Sequence, residues 1–251
     1  MDILQLSSPP ADVRLPYGSD PMQFGDLRLP KAKGPHPVVI VIHGGFWRAA
    51  YNLDHIGHLC AALTAVGLAT WNLEYRRIGN NGGGWPGTFE DILRGADYAS
   101  VLAEKYPIDA KKTIAVGHSA GGHLALLLAA RQRVCGVVSL AGVADLRRAW
   151  ELGLSNNVVA SFLGGAPQEV PDRYLQASPL ELLPLGVPQR LVHGEKDDVV
   201  PFEISKNYVK AAQAAGDDAR LVALPEAGHF ELIDPRSAEW PLIQQALVSL
   251  F

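Results

Sequence analysis

The stretch Gly117-His118-Ser119-Ala120-Gly121, followed by a further glycine at 122, places a serine between two different kinds of segment. The β-branched apolar run Thr113-Ile114-Ala115-Val116 precedes it, and a strongly helix-forming run, residues 123–130, follows it. The sequence therefore predicts a strand, a tight turn and a helix, with Ser119 at the tip of the turn. Side chains two residues before or after the serine would clash in so sharp a turn, and glycine avoids the clash.

A serine in such a turn has its hydroxyl pushed out above the edge of the sheet, and the backbone amide of Ala120 points to the same place. This geometry is typical of a catalytic nucleophile. The motif alone leaves open an ordinary glycine-rich connection between a strand and a helix.

Size and composition predict one folded domain over residues 1–251. Hydrophobic residues make up 48% and charged residues 19% of the 251 residues, as in a globular protein with a large core. The net charge of −4 argues against a nucleic-acid partner. We see neither a signal peptide nor a membrane-spanning run, so we expect a cytoplasmic protein without a membrane partner. No metal-binding spacing is present, and Cys60 and Cys135 are expected to be reduced core residues.

The order of strands predicts an α/β fold. Two short strands near residues 12–17 and 23–29, with turn residues between them, favour an antiparallel hairpin. The continuous apolar run at 38–42 is typical of a parallel strand buried on both faces. Strands and helices then alternate except from about 144 to 185, where we expect a small helical cap inserted over the strand ends. The alternative is that this segment is a surface insertion without a function.

The segment His43-Gly44-Gly45-Phe46-Trp47 follows the first buried strand directly. Its two glycines let the backbone turn over the sheet edge with its amides free. We expect the amides of Gly45 and Phe46, together with that of Ala120, to form an oxyanion hole. An ordinary glycine turn is the alternative, and His43 is expected to brace this loop.

Three side chains with complementary chemistry, Ser119, Asp197 and His229, each come directly after a predicted parallel strand. Because such loops open on one edge of a parallel sheet, the three groups are expected to meet there. Imidazole can take the proton of a serine hydroxyl and later give it to the leaving group. A carboxylate fixes the imidazole tautomer and stabilises the cation that forms.

Each of these assignments has competitors within the sequence. Asp198 and, more weakly, Glu195 compete for the role of the acid, but the spacing H-G-x-x-D before x-V-V-P favours Asp197. Among the 8 histidines, His229 is favoured as the base because it lies in a glycine-containing loop after the final strand. His118, beside the serine, is expected to point elsewhere.

Two local features concern the loop after the strand at residues 68–73. Thr88, with Asp91 three residues later, predicts a capping box at the start of a helix that runs to about residue 106. One of the two preceding arginines, Arg76 or Arg77, is expected to tie neighbouring loops together.

The motifs at residues 43–47, 117–121, 193–201 and 228–229 together resemble the α/β-hydrolase superfamily, in which the chain order is serine, acid, histidine. The first motif is similar to the H-G-G-x-W signature of kynurenine formamidases and related small esterases. It departs from the hormone-sensitive-lipase pattern, because Phe46 replaces a third glycine. The resemblance covers nearly the whole chain. It implies a mostly parallel eight-stranded sheet with helices on both faces, and a serine hydrolase without a cofactor.

We therefore expect an enzyme that cleaves small carboxylic esters or activated aryl amides through an acyl-serine intermediate, with arylformamides as the leading specific substrate. A non-catalytic binding protein of the same fold and a lipase-like or peptidase-like serine hydrolase are the alternatives. The natural substrate stays open, as does the oligomeric state, for which a homodimer is one expectation.

Aromatic side chains near the strand ends and in the cap are expected to form a flat-walled pocket for an aryl leaving group, beside a small acyl site at the Gly45-Phe46 turn. The alternative is that they only pack the cap onto the core. These residues are Trp47, Trp85, Trp150, Phe162 and Phe230.

Overall fold

Eight strands hydrogen-bond into one sheet in the computed structural model, which describes residues 3–251. The strands are β1 (Val13–Pro16), β2 (Phe24–Arg28), β3 (His36–Ile42), β4 (Ala69–Leu73), β5 (Ile108–His118), β6 (Val137–Leu140), β7 (Gln189–Gly194) and β8 (Ala219–Leu224). Their order across the sheet is β1-β2-β4-β3-β5-β6-β7-β8. Strands β1 and β2 form the predicted antiparallel hairpin, and β2 is also antiparallel to β4.

The remaining six strands are parallel to one another, with β3 between β4 and β5. The predicted, mostly parallel eight-stranded sheet is therefore confirmed. All six parallel strands end at the same edge of the sheet, so the loops that follow β3, β5, β7 and β8 lie together.

Nine helices of the described chain connect and cover the strands. They are α1 (Gly57–Ala65), α2 (Gly87–Asp97), α3 (Ala99–Ala103), α4 (Ala120–Ala130), α5 (Leu146–Glu151), α6 (Leu154–Leu163), α7 (Pro171–Ala177), α8 (Phe202–Ala214) and α9 (Trp240–Val248). Four short 3-10 turns complete the set: Ile3–Gln5, Leu53–Ile56, Pro179–Leu182 and Glu231–Ile233. Within residues 3–251, no helix is long and apolar enough to cross a membrane.

Both faces of the sheet are covered, which explains the unbroken apolar run of β3. Val38 and Ile40 pack into one core cluster with residues of α2, α4 and α8, whereas Val39 and Val41 pack into another with residues of α1 and α9. A strand whose alternate side chains enter two separate cores must be apolar at every position.

The chain between β6 and β7 forms α5, α6, α7 and the turn Pro179–Leu182, in the stretch for which the sequence predicts a cap. Phe162 of α6 is buried and stacks on Trp47 at a ring-centroid distance of 4.6 Å. His123 of α4 contacts the backbone oxygen of Ala177 through Nε2 at 2.8 Å. These contacts bind the inserted helices to α4 and to the loop after β3.

The predicted capping box at Thr88 is wrong. Thr88 lies inside α2, where its hydroxyl donates a hydrogen bond to the backbone oxygen of Arg76 at 2.6 Å. The carboxylate of Asp91 instead accepts two hydrogen bonds from the guanidinium of Arg76, at 2.8 and 2.6 Å, and one from Gln23 at 2.7 Å. Arg76 is thus the arginine that ties the loop after β4 to α2, as the sequence predicts for one of the pair.

One cysteine also departs from expectation. Cys60 is a buried free thiol of α1, whereas Cys135 is exposed in the turn before β6 and is not a core residue. Its Sγ contacts the backbone oxygen of Lys111 at 3.2 Å. The apolar run after Cys135 belongs to β6, which begins only at Val137.

Replacing Asp91 with asparagine should lower the free energy of unfolding by about 2 kcal/mol, because a buried carboxylate loses charge-assisted hydrogen bonds. The matched control is Asp97→Asn, whose partner Arg133 lies 3.5 Å away with both side chains more than half exposed. That change should cost no more than about 0.5 kcal/mol. Urea unfolding midpoints measure both, and equal midpoints for the two variants would contradict the role given to Asp91.

Candidate active site

Ser119 stands at the turn between β5 and α4 with a backbone conformation that few non-glycine residues adopt. Its φ is 57° and its ψ is −120°. The turn is fixed by close contacts, since a Cβ on Gly117 would lie 2.0 Å from the backbone oxygen of Gly121. A Cβ on Gly121 would lie 2.0 Å from the backbone oxygen of Ile42 in β3. The two glycines are therefore required by space, and a strained backbone such as that of Ser119 is found mostly at functional sites of proteins.

Asp197 and His229 form a buried pair on the loops after β7 and β8. His229 Nδ1 lies 2.7 Å from Asp197 Oδ2, and the two side chains are 3% and 0% exposed. Because an ionised carboxylate only accepts, Nδ1 carries the proton and Nε2 is left as the basic nitrogen. Asp198 is exposed, so the structure brings Asp197 and not its neighbour to the histidine.

Several donors converge on the carboxylate of Asp197. Its Oδ1 accepts hydrogen bonds from the amides of Val199 and Val200 at 2.9 and 2.8 Å. His193 Nε2 lies 3.2 Å from Oδ2. Burial alone would raise the pKa of Asp197, but the hydrogen bonds from His193 and His229 outweigh it and hold this pKa well below its ordinary value. The acid is therefore ionised at neutral pH.

A cavity of about 200 Å³ brings Ser119 and His229 together. Its walls come from separate parts of the chain, and most of them are apolar. The other lining residues are Leu4, Gly45, Phe46, Tyr51, His55, His118, Val199 and Phe230. We refer to this space as the serine cavity. It is smaller than the clefts of 300 Å³ or more that bind drug-sized ligands.

The loop after β3 supplies amides to the serine cavity. Gly45 and Phe46 both line it and both have positive φ, 107° and 50°. Within residues 3–251, the backbone amides of Gly45, Phe46 and Ala120 donate no hydrogen bond. The amide of Ala120 also begins α4, where the helix dipole favours negative charge.

His43 braces this loop, as the sequence predicts. Its Nδ1 contacts the backbone oxygen of Gly44 at 2.9 Å, and its Nε2 lies 3.1 Å from Oε1 of Glu74. The ring stacks on Tyr75, whose hydroxyl donates to the backbone oxygen of His43 at 2.7 Å. His43 therefore fixes the loop through these contacts and does not line the serine cavity.

Of the five predicted aromatic residues, only Phe230 lines the serine cavity. Trp47 is fully buried, with its Nε1–H directed at His123 Nδ1 at 3.2 Å. Trp85 stacks on Phe89, while Phe162 and Trp150 pack with the core. The structure does not bring these four rings to the serine cavity, because they pack against other side chains of the core.

Five lining residues were not predicted from the sequence: Leu4, Tyr51, His55, His118 and Val199. One of them, His118, contradicts a prediction. His118 was expected to point elsewhere, yet its ring lines the serine cavity 4.5 Å from the ring of His229. His55 accepts a hydrogen bond from the amide of Gly44 at 3.3 Å, and burial lowers its pKa to about 3. Leu4 comes from the turn Ile3–Gln5, for which the sequence offered no signal.

A second cavity, of about 490 Å³, adjoins the first at His229 and Phe230 but does not include Ser119. Half of its eight lining residues are charged: Lys196, Asp198, Glu231 and Asp234. The larger volume does not make this second cavity the candidate active site, because the strained serine lies in the smaller cavity. Among residues 3–251, no cluster of three or more histidine, cysteine or acidic side chains could hold a metal ion.

The sheet order, the strained serine at the turn from β5 to α4 and the buried acid-histidine pair define an α/β-hydrolase fold. Within that superfamily the chain belongs to the BD-FAE family, which matches residues 26–211.

Individual relatives share low sequence identity with this chain. Esterase LipC of Mycobacterium tuberculosis is 27% identical over 88% of this chain, which spans 60% of that protein's length. Kynurenine formamidase of Danio rerio is 24% identical over 94% of this chain and 80% of its own. A solved carbohydrate esterase from gut microbiota, in truncated form, superposes with a TM-score of 0.82 over 100% of this chain and 99% of its own, at 22% identity. At that identity the superposition shows the fold.

The lowered pKa of Asp197 predicts a pH dependence of stability. A carboxylate with a depressed folded-state pKa stabilises the protein above its unfolded pKa of about 3.9, and this contribution is lost as pH falls towards the folded-state pKa. The difference in free energy of unfolding between the wild type and Asp197→Asn should therefore shrink by about 1 kcal/mol between pH 7 and pH 3.

Urea unfolding at the two pH values measures this difference. Asp198→Asn is the matched control, because its exposed side chain should leave the difference from the wild type nearly independent of pH. A constant difference for Asp197→Asn would contradict the depressed pKa.

Proposed function

We propose that the protein is a serine hydrolase that cleaves small carboxylic esters through an acyl-serine intermediate. One observation carries the proposal: Ser119, strained at the turn from β5 to α4, opens into the same cavity as His229, whose Nδ1 is bonded to the buried carboxylate of Asp197. The similarity to Esterase LipC supports the same class of reaction.

In the proposed mechanism, the Oγ of Ser119 attacks the carbonyl carbon of the ester while His229 Nε2 takes the hydroxyl proton. Asp197 stabilises the resulting imidazolium. The negative oxygen of the tetrahedral intermediate is bound by the free amides of Gly45, Phe46 and Ala120. The carbon–oxygen bond to the alcohol then breaks, and His229 gives its proton to the departing oxygen.

Water completes the cycle. It attacks the acyl-serine as His229 takes one of its protons, and a second tetrahedral intermediate uses the same amides. When this intermediate collapses, the bond to Ser119 Oγ breaks, His229 returns the proton to Oγ, and the carboxylic acid leaves. No redox step or cofactor enters this scheme.

Arylformamide hydrolysis is the second candidate, favoured by the small serine cavity and by the similarity to kynurenine formamidase. A formyl group occupies little of the cavity, and the ring of Phe230 could pack against an aryl amine. Values of kcat/KM for an N-formyl arylamine and for an acetyl ester distinguish the two substrates. The enzyme acts mainly as a formamidase if the first value is the larger.

Ser119→Ala should fold like the wild type and lose activity on p-nitrophenyl acetate by about 10⁶-fold, because the triad acts as a unit. A fluorophosphonate probe should add to the wild type and not to the variant, as read by intact mass. Equal hydrolysis by both proteins would exclude this mechanism. Failure of the wild type to react would favour a binding protein with the same fold.

Variants of the two neighbouring aspartates can be compared in the same assay. Asp197→Asn should lower kcat by roughly 10⁴-fold, since the imidazole would be left in the wrong tautomer. Asp198→Asn should change kcat little. The reverse ranking would transfer the role of the acid to Asp198.

The size of the serine cavity predicts a preference for short acyl groups. Acetyl p-nitrophenyl esters should be hydrolysed faster than octanoyl esters, because a cavity of about 200 Å³ must also admit the leaving group. Leu4→Ala should raise the ratio of octanoyl to acetyl activity by removing part of one wall. Leu242→Ala, an equally apolar and exposed position on α9, should not. Faster octanoyl hydrolysis by the wild type would contradict the small acyl site.

A further inference from the structure

His118, the last residue of β5, joins the nucleophile turn to the loop that carries His229. Its side chain is 1% exposed, and its Nε2 lies 3.0 Å from the backbone oxygen of His229. Because a carbonyl oxygen can only accept, Nε2 must carry the proton. One buried hydrogen bond therefore connects the residue before Ser119 with the residue proposed as its base.

The second ring nitrogen of His118 has no such partner. Nδ1 is buried and makes no hydrogen bond with any described residue. Gly44 lies directly against it, since a Cβ there would be 3.2 Å from Nδ1 and 3.0 Å from the Cβ of Ser119. An unsatisfied buried nitrogen destabilises a protein, and a phenylalanine would fill the same space without it. The unsatisfied Nδ1 of His118 therefore lowers the stability of the protein, while the N–H at Nε2 donates a hydrogen bond to the loop that carries His229.

The charges around His229 make the neutrality of His118 important. His229 is faced by Asp197 from the loop after β7, by His118 from β5 and by His55 from the turn Leu53–Ile56. Burial, then the proximity of His229 and His55, lowers the pKa of His118 well below its ordinary value. The ring of His118 is therefore neutral and adds no positive charge beside His229.

We propose that His118 is a positioning residue, whose hydrogen bond to the backbone of His229 fixes that loop relative to the Ser119 turn and keeps the His229 ring against Asp197. The proposal rests on the proposed function. It gives the residue before Ser119 a task that the motif itself does not show: holding the backbone of His229 while Asp197 holds its ring.

The test is the pair His118→Phe and His118→Gln, assayed on p-nitrophenyl acetate over a range of pH. Phenylalanine keeps the ring but removes the donor, so kcat should fall on the order of 100-fold while KM stays unchanged. The inflection of kcat/KM should move to lower pH by about half a unit or more, because a looser Asp197 contact stabilises protonated His229 less. Glutamine keeps an N–H donor and should recover kcat to within about tenfold of the wild type, with an unshifted inflection.

His36→Phe is the matched control. His36 is also a buried histidine, and its Nε2 lies 2.9 Å from the backbone oxygen of Ala32, at the start of β3 and therefore at the opposite edge of the sheet. It should lose melting temperature without losing kcat. A merely structural role for His118 predicts the same result for His118→Phe, so wild-type kcat and an unshifted inflection in that variant would overturn the proposal.

Three further outcomes of the experiment also have a defined meaning. If His118→Phe does not fold, as judged by circular dichroism, the glutamine variant decides: a loss of kcat near 100-fold in folded His118→Gln overturns the positioning role. If the wild type neither hydrolyses the ester nor reacts with the fluorophosphonate probe, the proposed function fails and the positioning role fails with it. Wild-type reactivity with an unaltered His118→Phe rate overturns the positioning role alone.

Discussion

The close approach of α4 to the ends of β3 and β5 is the constraint on which the site depends. A Cβ on Gly121 would meet the backbone oxygen of Ile42 at 2.0 Å, so only glycine allows the helix to begin so near the sheet. This approach strains the backbone of Ser119 and leaves the amide of Ala120, the first residue of α4, without a hydrogen-bond partner among residues 3–251. It also places the turn at Ser119 beside the loop after β3, which supplies Gly45 and Phe46 to the same cavity.

The parts of the structure that follow from local chemistry or from topology could be predicted from the sequence. Glycines around Ser119 have a steric reason that acts within five residues, and the parallel strands bring their carboxyl ends to one edge whatever the packing. The positions of Asp197 and His229 follow from that rule. The choice of Asp197 over Asp198 rested on spacing, and the structure adds its reason: its oxygens accept from two backbone amides and face two histidines.

The side chains that the sequence misplaced depend on packing between distant segments. Whether an aromatic residue near a strand end faces a cavity or the core is decided by what covers it, and Trp47 is covered by Phe162 from α6. His118 is turned towards His229 by a carbonyl 111 residues away. Thr88 and Asp91 have the spacing of a helix cap, but the same spacing also occurs inside a helix, where Arg76 is a stronger partner than a backbone amide.

The walls of the serine cavity have a consequence for how this protein can diversify. Leu4, Tyr51 and Phe230 are all exposed and lie outside the parallel strands, on the N-terminal turn and on two loops. Substituting an exposed side chain in a loop changes stability little. The glycines on either side of Ser119 thus tolerate almost no substitution, whereas these three wall positions tolerate many. In the proposed hydrolase, substitutions at these three positions can therefore change the range of substrates at little cost in stability.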